Sequence, residues 1–197
     1  MLSERIILLV LLVACFGSFA WAIRNHFVFQ EMNGLMRMTA ALGSIFGGLQ
    51  AIAVFFAVNV PPIQFAISAL LYVASILTFW WAVKVTRSQR LSIAFSRNVP
   101  CHIVQHGPYR IVRHPFYFSY ALFWIAGVVA IPRWYLLPGV MAMFMCYFAA
   151  ARIEEASYTN SALSDAYESY RSETGMFLPR LTKMKIRLLI PGFRKQW

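Results

Sequence analysis

The sequence predicts an all-α integral membrane fold with five transmembrane helices, and three observations carry that expectation. Of 197 residues, 60% are hydrophobic and only 13% charged, and the mean hydropathy is +0.61, a balance well outside that of soluble domains. The apolar residues gather into five runs that approach the roughly 20 residues needed to cross a hydrocarbon core of about 30 Å. The charged residues between those runs segregate by sign and side as the positive-inside rule requires.

The spans are expected near 6–23, 38–59, 63–83, 115–131 and 134–152. Within the first, Leu12-Val13-Ala14-Cys15 resembles a lipoprotein cleavage box and Phe19-Ala20-Trp21-Ala22 a signal-peptidase site. Cleavage would need the N-terminus inside, which reverses the charge pattern, and Glu4 offsets Arg5, so a retained helix is expected. The second run carries Gly43, Gly47 and Gly48, which allow close helix packing or a groove, with packing the favoured use. Its Gln50 lies at mid-depth and is expected to bond a neighbouring helix. Pro61 and Pro62 cannot continue a helix, so the Asn59–Gln64 turn makes the second and third runs a hairpin. The fourth and fifth are short and joined by Pro132 and Arg133, a second hairpin.

With the N-terminus outside and the C-terminus inside, sixteen of the 18 Lys and Arg fall on the inner, cytoplasmic side, and only Arg5 and Arg133 lie outside. Losing one span would break this split, which therefore also supports the count of five. The net charge of +11 reads as topology signal and contact with anionic lipid rather than nucleic-acid binding, because the basic residues flank apolar runs. Cys15 and Cys146 sit inside apolar runs and Cys101 in the central loop, with no spacing typical of a metal or disulfide pair. No membrane-buried acidic residue or pair of broken helices marks a transporter.

Two polar stretches, 84–114 and 153–197, share the inner face and can meet. The first contains His102-Ile103-Val104-Gln105-His106-Gly107-Pro108-Tyr109-Arg110-Ile111-Val112-Arg113-His114-Pro115-Phe116-Tyr117. Gly107-Pro108 makes a turn, and Pro115 suits the first position of a helix. The second begins with Arg152-Ile153-Glu154-Glu155 at the end of the fifth run. The tight hairpin brings these segments together, so Tyr109, Arg113, His114, Arg152, Glu154 and Glu155 are expected to cluster where helices meet the surface. Adjacent carboxylates among basic residues and a histidine form a credible site, and a helix N-terminus there favours an anion. The plainer reading of the same residues is interface anchoring: Arg113 and His114 as inner-face anchors, Tyr109 and Tyr117 as belt aromatics, and the Glu pair as a solvated helix end. His26 is expected at the interface, while His102 and His106 are expected either to contact a ligand or to lie in an exposed loop. The chain divides into a membrane part, 1–99, and a catalytic part, 100–197.

The run Gly107-Pro108-Tyr109-Arg110-Ile111-Val112-Arg113-His114-Pro115-Phe116-Tyr117, followed after a hairpin by Glu154-Glu155 and then Tyr167 and Tyr170, resembles the catalytic region of the isoprenylcysteine carboxyl methyltransferase and phospholipid methyltransferase superfamily. The resemblance covers roughly 100–180. It implies S-adenosyl-L-methionine as cofactor, with His102 and Val104 near the adenosine, Tyr109, His114 and Pro115 lining the pocket, and Glu154 or Glu155 completing it. It implies a hydrophobic or lipidated acceptor, with membrane lipid as the surroundings. Methyl transfer asks the protein mainly to align the acceptor and exclude water. Arg113 or Arg152 would orient a carboxylate acceptor, whereas an amine needs Glu155, Glu154 or His114 to accept a proton. No soluble-type Gly-rich nucleotide motif is present. Two alternatives are an NADPH-dependent reductase of the sterol-reductase type and a non-catalytic relative. The basic and apolar tail after Gly175 reads as an interfacial amphipathic element, a surface anchor in preference to a lid that closes on the site.

Overall fold

The computed structural model describes residues 2–27, 34–57, 59–87 and 102–180. Helices Leu2–Asn25 (α1), Gly34–Phe55 (α2), Pro62–Thr86 (α3), Pro115–Ala130 (α4), Leu137–Thr159 (α5) and Ser164–Glu173 (α6) follow in chain order. Short 3₁₀ turns at Gly107–Arg110 and Trp134–Leu136 lead into α4 and α5. Among the described residues there is no strand, only an isolated parallel bridge between Val112 and Gly175. The predicted tail beyond 180 and Cys101 lie outside the described residues.

Four helical stretches are long and apolar enough to cross a membrane: Leu2–Asn25, Gly34–Phe55, Pro62–Thr86 and Trp134–Thr159. The fourth expected span, α4, is apolar but has 16 residues, about 24 Å at 1.5 Å per residue, shorter than the hydrocarbon core. The outer faces are apolar: Ile6, Val10 and Val13 on α1, Ile52 on α2, Leu70 and Leu77 on α3, and Met141 and Met145 on α5 are all exposed. That surface has no place in water, and the chain is an integral membrane protein. At 23 residues and about 35 Å, α5 is longer than the core is thick. One end of it therefore extends past the hydrocarbon, and the charged Arg152, Glu154 and Glu155 mark its C-terminal end as that one.

Polar groups inside the band find partners on neighbouring helices, as lipid surroundings demand. Ser68 Oγ donates to the Ala126 carbonyl at 2.7 Å and Ser75 Oγ to that of Ser119 at 2.7 Å, two hydrogen bonds that clamp α3 to α4. Gln50, as expected from sequence, reaches a neighbour: its Nε2 donates to Tyr72 Oη on α3 at 3.3 Å. Its amide occupies the space above Gly127 of α4, where a Cβ would collide with it. On the opposite rim, Arg5 Nη1 donates to the Ala57 carbonyl at 2.8 Å, satisfying a backbone group just past α2. His26 is buried and pairs with Thr86 at 2.8 Å, joining the ends of α1 and α3.

Gly127 sets the approach of α2 to α4. Gly127→Ala overpacks a buried site, a defect of about 1–3 kcal/mol, and lowers the thermal unfolding midpoint in detergent. The double variant Gly127→Ala/Gln50→Ala, which removes the colliding amide, recovers part of that loss.

Candidate active site

The loop before α4 is shaped by its own residues. Gly107 has φ of +60°, a left-handed conformation that costs glycine least. Pro108 then fixes the first turn, and Pro115 opens α4 where no N–H partner is needed. Between them, Arg113 N–H donates to the Gly175 carbonyl at 2.8 Å and His114 N–H to that of Met176 at 3.2 Å. These bonds and the Val112–Gly175 bridge hold the chain after α6 beside the start of α4. Tyr170 Oη on α6 donates to the Tyr109 carbonyl at 2.7 Å, and Tyr158 stacks on Tyr167 with centroids 4.5 Å apart.

Glu155 is the junction of this arrangement. Arg113 donates to its Oε1 through Nε and Nη2, each at 2.8 Å, and His114 Nε2 lies 3.1 Å from the same oxygen. Arg171 Nε stands 4.0 Å from Oε2. Arg113 Nη1 donates to the carbonyls of Thr174 and Arg171, so one guanidinium joins α5 to the segment after α6. Burial pushes the Glu155 carboxyl up, but hydrogen bonds from His114 and Arg113, with the Arg113 charge, outweigh it and hold the carboxyl below its ordinary value.

Glu154 points to the other side of the imidazole, with Oε2 3.6 Å from His114 Nδ1. His114 is thus flanked by two carboxylates of different character. Burial, opposed by His114 and reinforced by the Glu155 charge, pushes the Glu154 carboxyl above its ordinary value, with a Tyr117 hydrogen bond acting downward.

A cavity of about 220 Å³ opens from this cluster into the bundle. Tyr109, Arg113, His114, Pro115, Tyr117 and Glu154 form its polar end, and Phe16, Phe123, Trp124 and Met143 its far end. Between them is a belt of tyrosines: Tyr117 stacks on Tyr147 with centroids 5.8 Å apart, and Tyr120 lies 5.4 Å from Tyr147. Tyr109 Oη is buried without a hydrogen-bond partner, and burial pushes this phenol well above its ordinary value.

The expected cluster therefore assembles from Tyr109, Arg113, His114, Pro115, Glu154 and Glu155. Three expected members stand apart. Arg152 is exposed and not in the cavity wall, because it sits on the outward face of α5. Val104 is not in the wall itself but is buried directly behind it, in one apolar cluster with the wall residues Tyr109 and Phe116 and with Phe79. His102 lies off the wall, with a buried Nε2 that has no partner. His106 is exposed in the loop. The sequence reading passed over Tyr120 and Tyr147 and the backbone pairing of 175–176. The spacing of Met143, Tyr147, Ala150 and Glu154, all on the cavity wall, marks one helical face and carried that information.

The phospholipid methyltransferase family model matches residues 63–166, more than half of the chain. The chain belongs to this family. It is a membrane methyltransferase by kinship, and the matched region holds α3, α4, α5 and every residue of the cluster up to Glu155. No curated protein matches the sequence. The reductase alternative gains nothing from the family match.

Breaking the buried Arg113–Glu155 pair leaves an uncompensated charge, a loss of about 3–5 kcal/mol. Arg113→Ala therefore destabilises strongly and speeds amide hydrogen exchange at His114 and across 174–177, whereas Arg113→Met/Glu155→Leu recovers much of the stability. Because the folded Glu155 carboxyl is held below its unfolded value of about 4.3, its stabilising contribution is present above that pH and is lost as pH falls through the lower folded value. Melting points measured from pH 7 downward fall more steeply below about pH 4.3 in the native protein than in Glu155→Gln.

Proposed function

We propose that the protein is an S-adenosylmethionine-dependent methyltransferase whose acceptor is the amine headgroup of a membrane phospholipid. The observation that carries this reading is the Glu154 carboxylate, partly exposed on the cavity wall among tyrosine rings, while the basic groups beside it, Arg113 and His114, are both engaged by Glu155. Carboxylates and aromatic faces suit cationic groups. The cofactor carries a sulfonium and an ammonium, and a lipid amine is cationic before it reacts. A carboxylate acceptor would need a free cation at the same place, and each nitrogen of the Arg113 guanidinium is already engaged.

The residues fit the cofactor. The unpartnered Tyr109 hydroxyl offers a hydrogen bond at the polar end, Tyr117 and Tyr120 offer ring faces, and Glu154 offers a negative charge. S-Adenosylmethionine, when bound, supplies an electrophilic methyl carbon. The chain's residues do the remainder. Glu154, with its raised carboxyl, takes the proton that the amine gives up, and His114 at 3.6 Å steadies the resulting charge balance. Arg113 and Glu155 act as positioning residues that fix His114 and the segment at 174–177. The aromatic belt excludes water from the reacting atoms. Arg152, on the outward face, has no part in the chemistry in this reading.

Five spans are proposed, with the N-terminus outside and the C-terminus inside. In this arrangement α4 crosses together with Ile131 and the turn that follows, and local thinning accommodates the short helix. The site then faces the cytoplasm at the inner surface of the cytoplasmic membrane, where the basic loops contact anionic lipid.

Calorimetric titration of the detergent-purified protein with S-adenosylhomocysteine and, separately, NADPH tests the reading. S-Adenosylhomocysteine is expected to bind and NADPH not, with Glu154→Gln weakening binding about tenfold, equivalent to about 1.4 kcal/mol. Binding of NADPH alone would transfer the protein to the reductase class. Binding of neither would leave the non-catalytic reading.

A further inference from the structure

Deeper in the bundle than Glu154, the cavity wall carries two hydroxyls that the proposed chemistry leaves unused. Tyr147 on α5 and Tyr120 on α4 both belong to the wall, with ring centroids 5.4 Å apart. Both rings are held. Tyr147 stacks on Tyr117 at 5.8 Å with 12° between the planes, and Tyr120 meets Phe19 edge to face at 4.5 Å.

The hydroxyls themselves are served only in part. Trp124 Nε1 donates to Tyr147 Oη at 3.0 Å, so that oxygen acts as an acceptor and its own hydrogen must find another partner. No described residue accepts it. Nor does a hydrogen bond join the Tyr120 hydroxyl to any described residue. A phenol hydrogen without an acceptor is costly inside a bilayer, where protein or ligand must take the place of water. Two neutral donors side by side therefore make a place for an oxygen acceptor.

Position selects which oxygen. Tyr147 precedes Glu154 by seven residues, so the two lie on one face of α5, about 10.5 Å apart along its axis. In an extended diacyl phospholipid the phosphorus is four bonds from the amine nitrogen and an acyl carbonyl carbon is nine. At the reach of an extended chain, roughly 1.1–1.2 Å per bond, these separations are about 5 Å and about 10 Å. With the amine at Glu154, the phosphate stops halfway and the ester arrives at the phenols. Charge selects the same group. Phe19 packs on Tyr120 and Trp124 holds Tyr147, surroundings that accept a neutral carbonyl and disfavour an anion.

We infer that the Tyr147 and Tyr120 hydroxyls form a carbonyl subsite, which binds an acyl ester of the acceptor phospholipid and so sets its headgroup amine at Glu154. The identity of the acceptor rests on the methyltransferase reading above, whereas the unfilled donors rest on hydrogen bonding alone. The site thereby selects ester-linked lipids over ether-linked ones.

The test compares diacyl phosphatidylethanolamine with its dialkyl ether analogue, which has the same headgroup and no carbonyl, using the full-length protein in phosphatidylcholine nanodiscs. The native protein is expected to show a kcat/KM at least tenfold higher for the ester. Tyr120→Phe and Tyr147→Phe are each expected to lower that ratio at least threefold, and the double variant to bring it close to one. Tyr120→Phe removes a hydroxyl that no described residue binds, so it carries the test even if Tyr147→Phe, which strands the Trp124 N–H, fails to fold. Infrared spectra of an isotope-labelled ester carbonyl, with one lipid bound per protein in detergent, give a readout independent of turnover. The ester band is expected at lower frequency in the native protein than in either variant. A native ratio near one, or a ratio that neither variant changes, overturns the subsite. Equal losses on ester and ether lipids would assign the phenols to the phosphate, and weakened S-adenosylhomocysteine binding would assign them to the cofactor; either result overturns it too. If the native protein methylates neither lipid while the ester band still depends on the two tyrosines, the subsite stands and the methyltransferase reading falls.

Discussion

The geometry of the candidate site depends on one buried carboxylate. Glu155 receives two nitrogens of Arg113 and faces one of His114, so a single anion gathers the start of α4, the end of α5 and, through Arg113 Nη1, the backbone at Arg171 and Thr174. Removing charges from water is expensive, and burial of such a group is tolerated only where every partner is in place. That requirement specifies one arrangement of three chain segments and fixes the direction in which His114 and Glu154 face. Adjacent glutamates on one helix end thereby take different parts, one enclosed by cations and the other turned to the cavity.

The membrane part serves this cluster by shape. Serine hydroxyls lock α3 to α4 with bonds of 2.7 Å, giving a rigid pair on one side. On the other side α1 and α2 meet at Phe16 and Gly47, and Ile23 and Phe27 of α1 pack against the cluster that holds Met36 of α2. The cavity is what remains between these two pairs and α5, lined at one end by titratable groups and at the other by Phe123, Trp124 and Met143. Such a graded cavity suits an amphiphile whose head and tail need different surroundings, which accords with membership in a family of phospholipid methyltransferases.

Much of this was legible in the sequence. Hydropathy located the membrane helices, and the Gly-Pro-Tyr-Arg and Arg-His-Pro runs with the Glu pair located the cluster, because a short connection, six residues at 131–136 instead of the expected two, still leaves α4 and α5 in contact. Gln50 was expected to bond a neighbouring helix and does so. The length of α4 was read less well: hydropathy extends through Ile131, but the helix stops at Ala130 because Pro132 disfavours a helical residue before it. Arg152 was drawn into the cluster by its nearness in sequence to Glu154, yet the helical turn points it outward. His102 and Val104 followed the resemblance; neither is in the cavity wall, though Val104 packs in one cluster with the wall residues Tyr109 and Phe116. The pairing of 113–114 with 175–176 joins segments about 60 residues apart through backbone atoms, which side-chain patterns do not announce.

The most direct test of the central claim is product analysis. The protein is reconstituted in phosphatidylethanolamine vesicles with methyl-labelled S-adenosylmethionine, and the extracted lipids are separated. The account predicts label in an N-methylated phospholipid, formed by the native protein and reduced at least a hundredfold in Glu154→Gln. Label recovered as a base-labile ester, or equal activity in native protein and variant, would contradict the assignment of a lipid amine as acceptor and of Glu154 as the group that takes its proton.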